Sequence, residues 1–402
     1  MEIVEVRSPA LAKVFCTMPV AIYASDPNFV HPLHSDIEAI FSPLHNQSLR
    51  TGVGAGAAKR WLLMATGRPI GRIAAFFHQP AASLSSANLA FAVSGQLKVA
   101  GIGFFECIDN QPAASLLFNH AEAWLAALGF NAIDGPINFG ERDRWWGLLV
   151  NGQNMPNYAC HYHPAYYQAL FHAAGYKALF EQYTFGRQIL TRLPSTVIAK
   201  AQRIFANKDY TFHHIKKADL KSFAADFAAV YSQAWATHLG SPQITPKKAY
   251  DLAKALKPII DEDLIWFAYH QGVPVGFVLA LPDINIHLQP LQGRFGLWQK
   301  LRFTFSRWLR PSKKIVGQAF GIIPTHQGRG LEAALVARLY TAIQNSATKH
   351  QYEEIEMNWI GSFNPVMIKM TKQLGAEVVK THITFRKILD PNLPWQPYPG
   401  AN

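Results

Sequence analysis

The turn Gln327-Gly-Arg-Gly330 has the make-up of a phosphate cradle. Before it, Lys314-Ile-Val-Gly-Gln-Ala-Phe-Gly-Ile-Ile323 is short, β-branched and apolar, the pattern of a buried strand, and Pro324 ends the ladder by lacking an N–H. After it, Leu331, Leu335, Leu339 and Ile343 recur at four-residue spacing with Ala334 and Ala342 beside them, which puts one apolar stripe on a helix. Gly328 and Gly330 allow backbone angles and a close approach that a Cβ would obstruct. The N–H groups opening the helix can therefore converge on an anion, and Arg329 adds a cation. A plain turn before a helix is the other reading of the same residues.

Group transfer also needs residues that move protons. Glu354-Ile-Glu-Met-Asn-Trp-Ile360 alternates as a strand does, so Glu356 and Asn358 share a face; Glu356 is the candidate base, with a solvated edge as the alternative. Gly361 to Pro365 turns into a short helix carrying Met367, Met370 and Leu374, which Gly375 closes, and Ala376 to Arg386 reads as a final strand pair. Tyr166 and Tyr167 are the nearest phenols, candidates for the acid step or for acceptor contact and otherwise core or interface aromatics. Asn138-Phe-Gly-Glu-Arg-Asp-Arg-Trp-Trp-Gly147 packs charges and tryptophans into a glycine-bounded loop. Its Glu141, Arg142, Trp145 and Trp146 suit a polar acceptor, or else the tryptophans seal a domain junction. No serine lies in a Gly-x-Ser-x-Gly elbow and no cysteine in a Cys-His motif, which argues against covalent catalysis. His161-Tyr-His163 lacks the Cys or carboxylate partners of a zinc site, so no metal is expected and a pocket wall or solvated turn is.

With its Gln327-Gly-Arg-Gly-Leu331 turn, the chain resembles the GNAT acyltransferase superfamily, whose signature there is Arg or Gln, two residues, Gly, one residue, then Gly or Ala. The Asn364 to Gly375 run looks like that superfamily's second cofactor-side helix. The resemblance implies acetyl-CoA or a longer acyl-CoA as co-substrate, held by Ile322, Ile323, Gln327, Gly328, Arg329, Gly330, Leu331 and Asn364. It implies direct attack of a small amine or amino acid on the thioester; a membrane-associated long-chain acyl or aminoacyl transferase and a non-catalytic CoA- or ligand-binding protein keeping the fold are the alternatives. Two positions depart from the family: Glu332 stands where a small residue is usual, and Thr371 where many members carry the Tyr that protonates the thiolate.

The elements that position these residues occur twice. Gly67-Arg-Pro-Ile-Gly-Arg-Ile-Ala-Ala-Phe76 matches Gly272-Val-Pro-Val-Gly-Phe-Val-Leu-Ala-Leu281, each a turn entering a strand. The strand Ala100–Ile108, a helical stripe from Ala113 to Leu128 ended by Gly129, the strand Asn131–Phe139 and the helix Pro164–Gly175 then repeat the later order. Asp109-Asn-Gln-Pro112 replaces the glycine turn, so the first copy is expected to have lost its anion site. The expected fold class is α/β, with two GNAT-like domains, each a mixed, largely antiparallel twisted sheet flanked by helices. The boundaries are 1–190 and 205–390, joined at Arg192-Leu-Pro-Ser195, with 391–402 a loose tail. The stretch from Asp134 to Tyr167 further resembles uncharacterised bacterial proteins of about this length, with a degenerate first GNAT domain and an intact second.

At 402 residues, 49% hydrophobic and 12% aromatic, the chain is long enough for two full cores and is not disordered. No uncharged apolar run reaches the length of a membrane span, the start lacks signal-peptide character, and Cys16, Cys107 and Cys160 are scattered; a cytoplasmic protein with core thiols is expected. The net charge of +12 is densest from Arg294 to Lys314, where seven Lys or Arg and no acid interleave with Phe295, Trp298, Phe303, Phe305 and Trp308. Three readings stand: a basic helix making peripheral contact with an anionic membrane, a lid over acyl-CoA, or a solvated helix packing its aromatics on the body. Nucleic acid is not expected, since no recognition motif accompanies these residues.

Overall fold

The two-residue turns Thr66-Gly67 and Gln271-Gly272 carry positive φ at both positions, 46° and 76° in the first and 49° and 81° in the second. That geometry suits the right-handed twist of a hairpin, and glycine meets it without strain. Each turn is followed by a proline, Pro69 or Pro274, and beside each the pairing slips by one residue. The same hairpin, with the same bulge, thus occurs in both halves of the chain.

The computed structural model describes residues 1–49, 56–78, 97–140, 144–234, 244–345 and 352–398. In the first half the strands are β1 (Glu2–Glu5), β2 (Gly56–Ala65), β3 (Arg68–His78), β4 (Val99–Cys107), β5 (Ala132–Gly135), β6 (Leu148–Asn151) and β7 (Lys177–Gln188). Its helices are α1 (Pro9–Thr17), α2 (Pro19–Ile22), α3 (His34–Ile40), α4 (Gln111–Ala127) and α5 (Tyr167–Ala173). The second half has α6 (Ser195–Phe205), α7 (Leu220–Ala234), α8 (Pro246–Leu256), α9 (Asn285–Leu288), α10 (Leu297–Leu309), α11 (Leu331–Asn345) and α12 (Pro365–Gln373). Its strands are β8 (Tyr210–His214), β9 (Ile265–His270), β10 (Val273–Pro282), β11 (Lys314–Ile322), β12 (Glu354–Gly361) and β13 (Glu377–Ile388). Helix starts follow the side-chain rules: Ser8, Asn110, Thr245 and Asn364 each cap a helix whose first turn holds a proline.

All strands join one sheet in the order β1-β2-β3-β4-β5-β13-β7-β12-β11-β10-β9-β8, with β6 against β13. Among the described residues only β4/β5 and β11/β12 are parallel pairs. The boundaries near 190 and 205 therefore separate two copies of a plan, not two sheets. The last strand of each copy completes the other: β13 pairs with β5, and β7 pairs with β12. Arg386 of β13 holds Asp134 of β5 through two hydrogen bonds of 2.6 and 2.9 Å, both side chains fully buried. The residues expected to form a final strand pair make one twelve-residue strand, because nothing between Glu377 and Ile388 breaks a chain that has partners on both sides.

The main core of the second half gathers Leu331, Leu335, Leu339 and Ile343 of α11 with Val197 and Ala201 of α6 and Phe267 and Phe277 of the sheet. That of the first half gathers Leu117, Ala121 and Leu125 of α4 with Phe105, Phe171 and Phe385. Leu193 of the expected linker is buried, and the end of the chain is not loose where it is described: Tyr398 packs on Phe180 and Phe363, at 4.8 and 4.7 Å between ring centres.

Candidate acyl-CoA cleft and polar cluster

β11 and β12 run side by side only from Lys314/Glu354 to Gly317/Met357 and then part. Gln318 bulges out of the β10/β11 ladder just where they separate. Beyond that point Ala319 and Phe320 on one strand and Met357 and Asn358 on the other are half-buried, so the inner edges of a V-shaped cleft reach solvent. Parted strands leave backbone N–H and C=O groups able to take an extended, amide-bearing ligand between them.

At the far end of β11, Ile322 and Ile323 are buried and the turn follows. Gln327 folds back, its Nε2 donating to the Ile322 carbonyl at 2.8 Å, which pins the turn to the strand. Gly328 and Gly330 have φ of 72° and 95°, angles that only glycine takes without strain. Leu331 plugs the core, while Arg329 is exposed. Helix α6 passes close by: a Cβ built on Gly330 would stand 3.5 Å from Lys200 Cβ and 3.9 Å from Arg203 Nη2. The Arg203 guanidinium thus lies near this helix start, with exposed Lys200 beside it on α6 and Arg329 in the turn itself. Glu332 sits in that first turn with its Oε2 buried and without a hydrogen-bond partner among the described residues. Asn364 caps α12, its Oδ1 accepting the Met367 N–H at 3.2 Å, and so orders the helix rather than facing the turn.

One residue before the strands part, a charged cluster is sealed inside. Lys380 of β13 donates to both oxygens of Glu356 at 2.6 and 2.7 Å, and Lys314 Nζ lies 3.5 Å from Asp283 Oδ2 and 3.8 Å from Glu356 Oε2. All four side chains are buried, two of each sign. Burial raises the Asp283 carboxyl above its ordinary range, with Lys314 opposing the shift. The Cys160 thiol beside this cluster is pushed up to about 12, chiefly by burial, so it stays protonated and is no nucleophile near neutrality. Asn157 donates to Asn358 Oδ1 at 2.7 Å, tying the first half to the cleft wall. Next to them His161 and His382 are held neutral, lowered to about 3 and about 4 by burial; His382 Nε2 meets the His161 carbonyl at 3.0 Å. The His161–His163 segment is thus a buried wall and not a solvated turn.

Other sequence candidates lie elsewhere. Tyr166 donates to the Cys107 carbonyl at 2.8 Å, and Tyr167 donates to Glu106 Oε2 at 2.8 Å while accepting the Cys107 N–H at 2.9 Å. Both serve the end of β4, so an acid at the thioester and an acceptor contact are not roles their placement offers. Trp145 packs against Phe104 and Trp146 joins a core cluster with Phe76, Phe139 and Phe180; both are buried, and their size serves packing rather than acceptor contact. Glu141 and Arg142 lie outside the described residues. Thr371 is buried and bonds the Met367 and Ile368 carbonyls of its own helix. Lys314, Lys380, Asp283, Lys200 and Arg203 were not singled out from sequence; a lysine inside each of two apolar strands was the available sign.

Among the described residues the first copy has no matching cleft. β4 and β5 pair over three residues, and Ile137 then fills the gap: its N–H bonds the Ile102 carbonyl at 2.8 Å, and its oxygen lies 2.1 Å from where a Gly103 Cβ would stand. Asn110 caps α4 with its own side chain, taking the place an anion would occupy. Among the described residues, no group of three or more His, Cys, Asp or Glu could hold a metal ion.

A solved tandem GNAT protein from the clavulanic acid biosynthesis pathway superposes with a TM-score of 0.52 over 97% of this chain and 99% of its own, at 12% identity. The fold is that of a tandem GNAT protein. No family model matches the sequence. Over nearly their whole lengths two curated proteins are similar. Bacterial ceramide synthase of Caulobacter vibrioides (strain NA1000 / CB15N) is 24% identical over 415 residues, 97% of this chain and 98% of its own. Protein YghO of Escherichia coli (strain K12) is 23% identical over 383 residues, 93% and 92%.

Proposed function

We propose that the protein is an acyl-CoA-dependent N-acyltransferase working in the second-half cleft. The observation that carries this reading is the parted β11/β12 pair with a glycine turn beside basic residues at one end and the Asp283–Lys314–Glu356–Lys380 cluster at the other. The turn suits the pyrophosphate, through the N–H groups of α11 and the charges of Arg329, Lys200 and Arg203. The strand edges suit the two amides of pantetheine, which would bring the thioester toward Gly317 and Glu356.

The reaction is direct. The amine nitrogen attacks the thioester carbonyl, a C–N bond forms and the C–S bond breaks, the nitrogen loses a proton and the CoA sulfur gains one. Glu356 and Asp283 are the carboxylates suited to hold an acceptor's amino or hydroxyl hydrogens, and Lys314 and Lys380 the donors suited to its oxygens. Both oxygens of Glu356 are taken by Lys380, so a role for Glu356 as base requires the acceptor to displace that contact.

The full-length similarity to a ceramide synthase favours a second, narrower reading, in which the acceptor is a long-chain amino alcohol and the donor a long-chain acyl-CoA. The test is to incubate the purified protein with acetyl-CoA or palmitoyl-CoA and either amino acids or sphinganine. Amide is followed by mass spectrometry and free CoA thiol by colour. Amide and thiol formed in equal amounts support acyl transfer, and the preferred pair selects the acceptor; no amide from any pair refutes the proposal.

A further inference from the structure

α10 exposes an apolar face that the rest of the chain leaves uncovered. Leu297 and Trp298 are each 81% exposed, Leu301 63%, Phe305 58%, Trp308 76% and Leu309 55%. At about 100° per residue these six fall within roughly a third of the helix circumference. Of the aromatics in this segment, Phe303 turns inward, onto a cluster with Val30, Leu33, Leu288 and Leu291, and Phe295 packs beside it. The expectation that all the aromatics pack on the body therefore fails for Trp298, Phe305 and Trp308. The helix is firmly seated on its inner side: Arg307 donates to the Pro258 carbonyl at 2.6 Å, and His287 Nδ1 meets Ser306 Oγ at 3.0 Å.

Charge flanks the apolar face. Arg294, Lys300, Arg302 and Arg310 are exposed and form no ion pair among the described residues, and no acidic residue occurs from 294 to 314. Arg302 borders one edge of the stripe and Lys300 lies beyond the other. A row of cations beside exposed tryptophans and leucines matches the boundary of an anionic bilayer, where acyl chains take the apolar side chains and headgroup charges meet the basic ones. Among the described residues, no helix is long and apolar enough to cross a membrane, so this helix would lie in the surface and not span it.

We propose that α10 is an in-plane docking helix that seats the protein on an anionic lipid surface. On the opposite side of the helix, Arg307 is one of the residues lining an open cavity of about 440 Å3, together with Asp261, Glu262, Asp283, His287 and Tyr352. Asp283 also belongs to the polar cluster at the cleft, so this cavity lies between α10 and the residues proposed to hold the acceptor. Docking itself stands apart from the acyl-transfer reading, because it needs no substrate and is measured without one.

The full chain is sedimented with phosphatidylcholine vesicles containing about 30% phosphatidylglycerol, and with pure phosphatidylcholine vesicles, at low and high salt. Most of the protein should pellet with the anionic vesicles at low salt and far less with neutral ones or at high salt. The variants Trp298→Ser/Trp308→Ser and Lys300→Glu/Arg302→Glu, all at exposed positions, should each bind about tenfold or more weakly while melting like the parent. A parent that stays in the supernatant at low salt, or variants that bind as well as it does, overturns the proposal. So does a parent that runs as a dimer in sedimentation velocity and becomes a monomer in Trp298→Ser/Trp308→Ser, since the face would then belong to a second copy of the chain.

Discussion

Glu356→Leu should be among the most damaging single changes in the second half, and adding Lys380→Met should repair most of that damage. The two side chains are 9% and 2% exposed and joined by contacts of 2.6 and 2.7 Å. Removing the carboxylate leaves the Lys380 ammonium sealed beside Lys314, with Asp283 alone to balance two cations. Breaking a buried pair from one side costs about 3–5 kcal/mol, whereas replacing both members with apolar groups of similar volume costs little or nothing. The coupling from the four-protein cycle, the two single costs less the double's, should therefore be at least about 3 kcal/mol. Urea unfolding followed by tryptophan fluorescence reads the stabilities, and amide formation reads the chemistry. The double variant should fold near the parent's stability and lose most acyl transfer, because half of the cluster proposed to hold the acceptor is gone. Additive single effects would refute the sealed pair, and a double variant with the parent's kcat/KM would refute the cluster as the acceptor site.

A CoA thioester at 100 times its Kd should stabilise the protein by about 2.7 kcal/mol in a thermal shift, and Gly330→Val should abolish the shift. A φ of 95° costs a branched residue about 1–2 kcal/mol or more and rearranges the turn, so an unaltered shift in the variant would show that CoA binds elsewhere. Glu332→Ala should cost roughly 0.3–1 kcal/mol of helix stabilisation yet tighten CoA, because it removes a negative charge that repels the phosphates; calorimetry showing weaker binding would make Glu332 part of the ligand site. Acid should destabilise the protein through His161 and His382. Their folded values, about 3 and about 4, lie below the unfolded value near 6.5, so the unfolded chain binds more protons below that pH. The stability they contribute is complete above about pH 6.5 and is lost as pH falls toward their folded values, by up to about 1.4 kcal/mol per unit for each. A urea midpoint unchanged between pH 7 and 5 would contradict this, and His382→Gln should flatten the slope.

Local pattern carried the elements of this fold because period and punctuation agree: Leu331 to Ile343 at helical spacing, Gly129, Gly175 and Gly375 as helix stops with φ of 83°, 87° and 77°. The glycine turn was legible because Gly328 and Gly330 owe their identity to the backbone. Pairing was not legible, since β7 and β13 have the same alternation and only the three-dimensional sheet tells which copy each joins. The cluster was half visible: Glu356 stood out as a carboxylate in a strand, but Lys314, Lys380 and Asp283 come from three separate segments. Trp145, Trp146 and Tyr167 misled for the opposite reason, because large aromatics near charges read as a binding loop whether they face a ligand or a core.

The exchange of β7 and β13 bears on how the chain is made. A ribosome releases the first half with β5 paired to β4 but still lacking its other neighbour, β13, which follows the whole second half up to β12. Until then the growing chain presents an unpaired strand edge, with Asp134 waiting for Arg386 in a site destined to be dry. Neither half can finish early, and truncation just before β13 would open the first half as surely as the second. A nascent chain of this topology is a strong client for chaperones that cover strand edges, and its two halves reach their final form in one shared step.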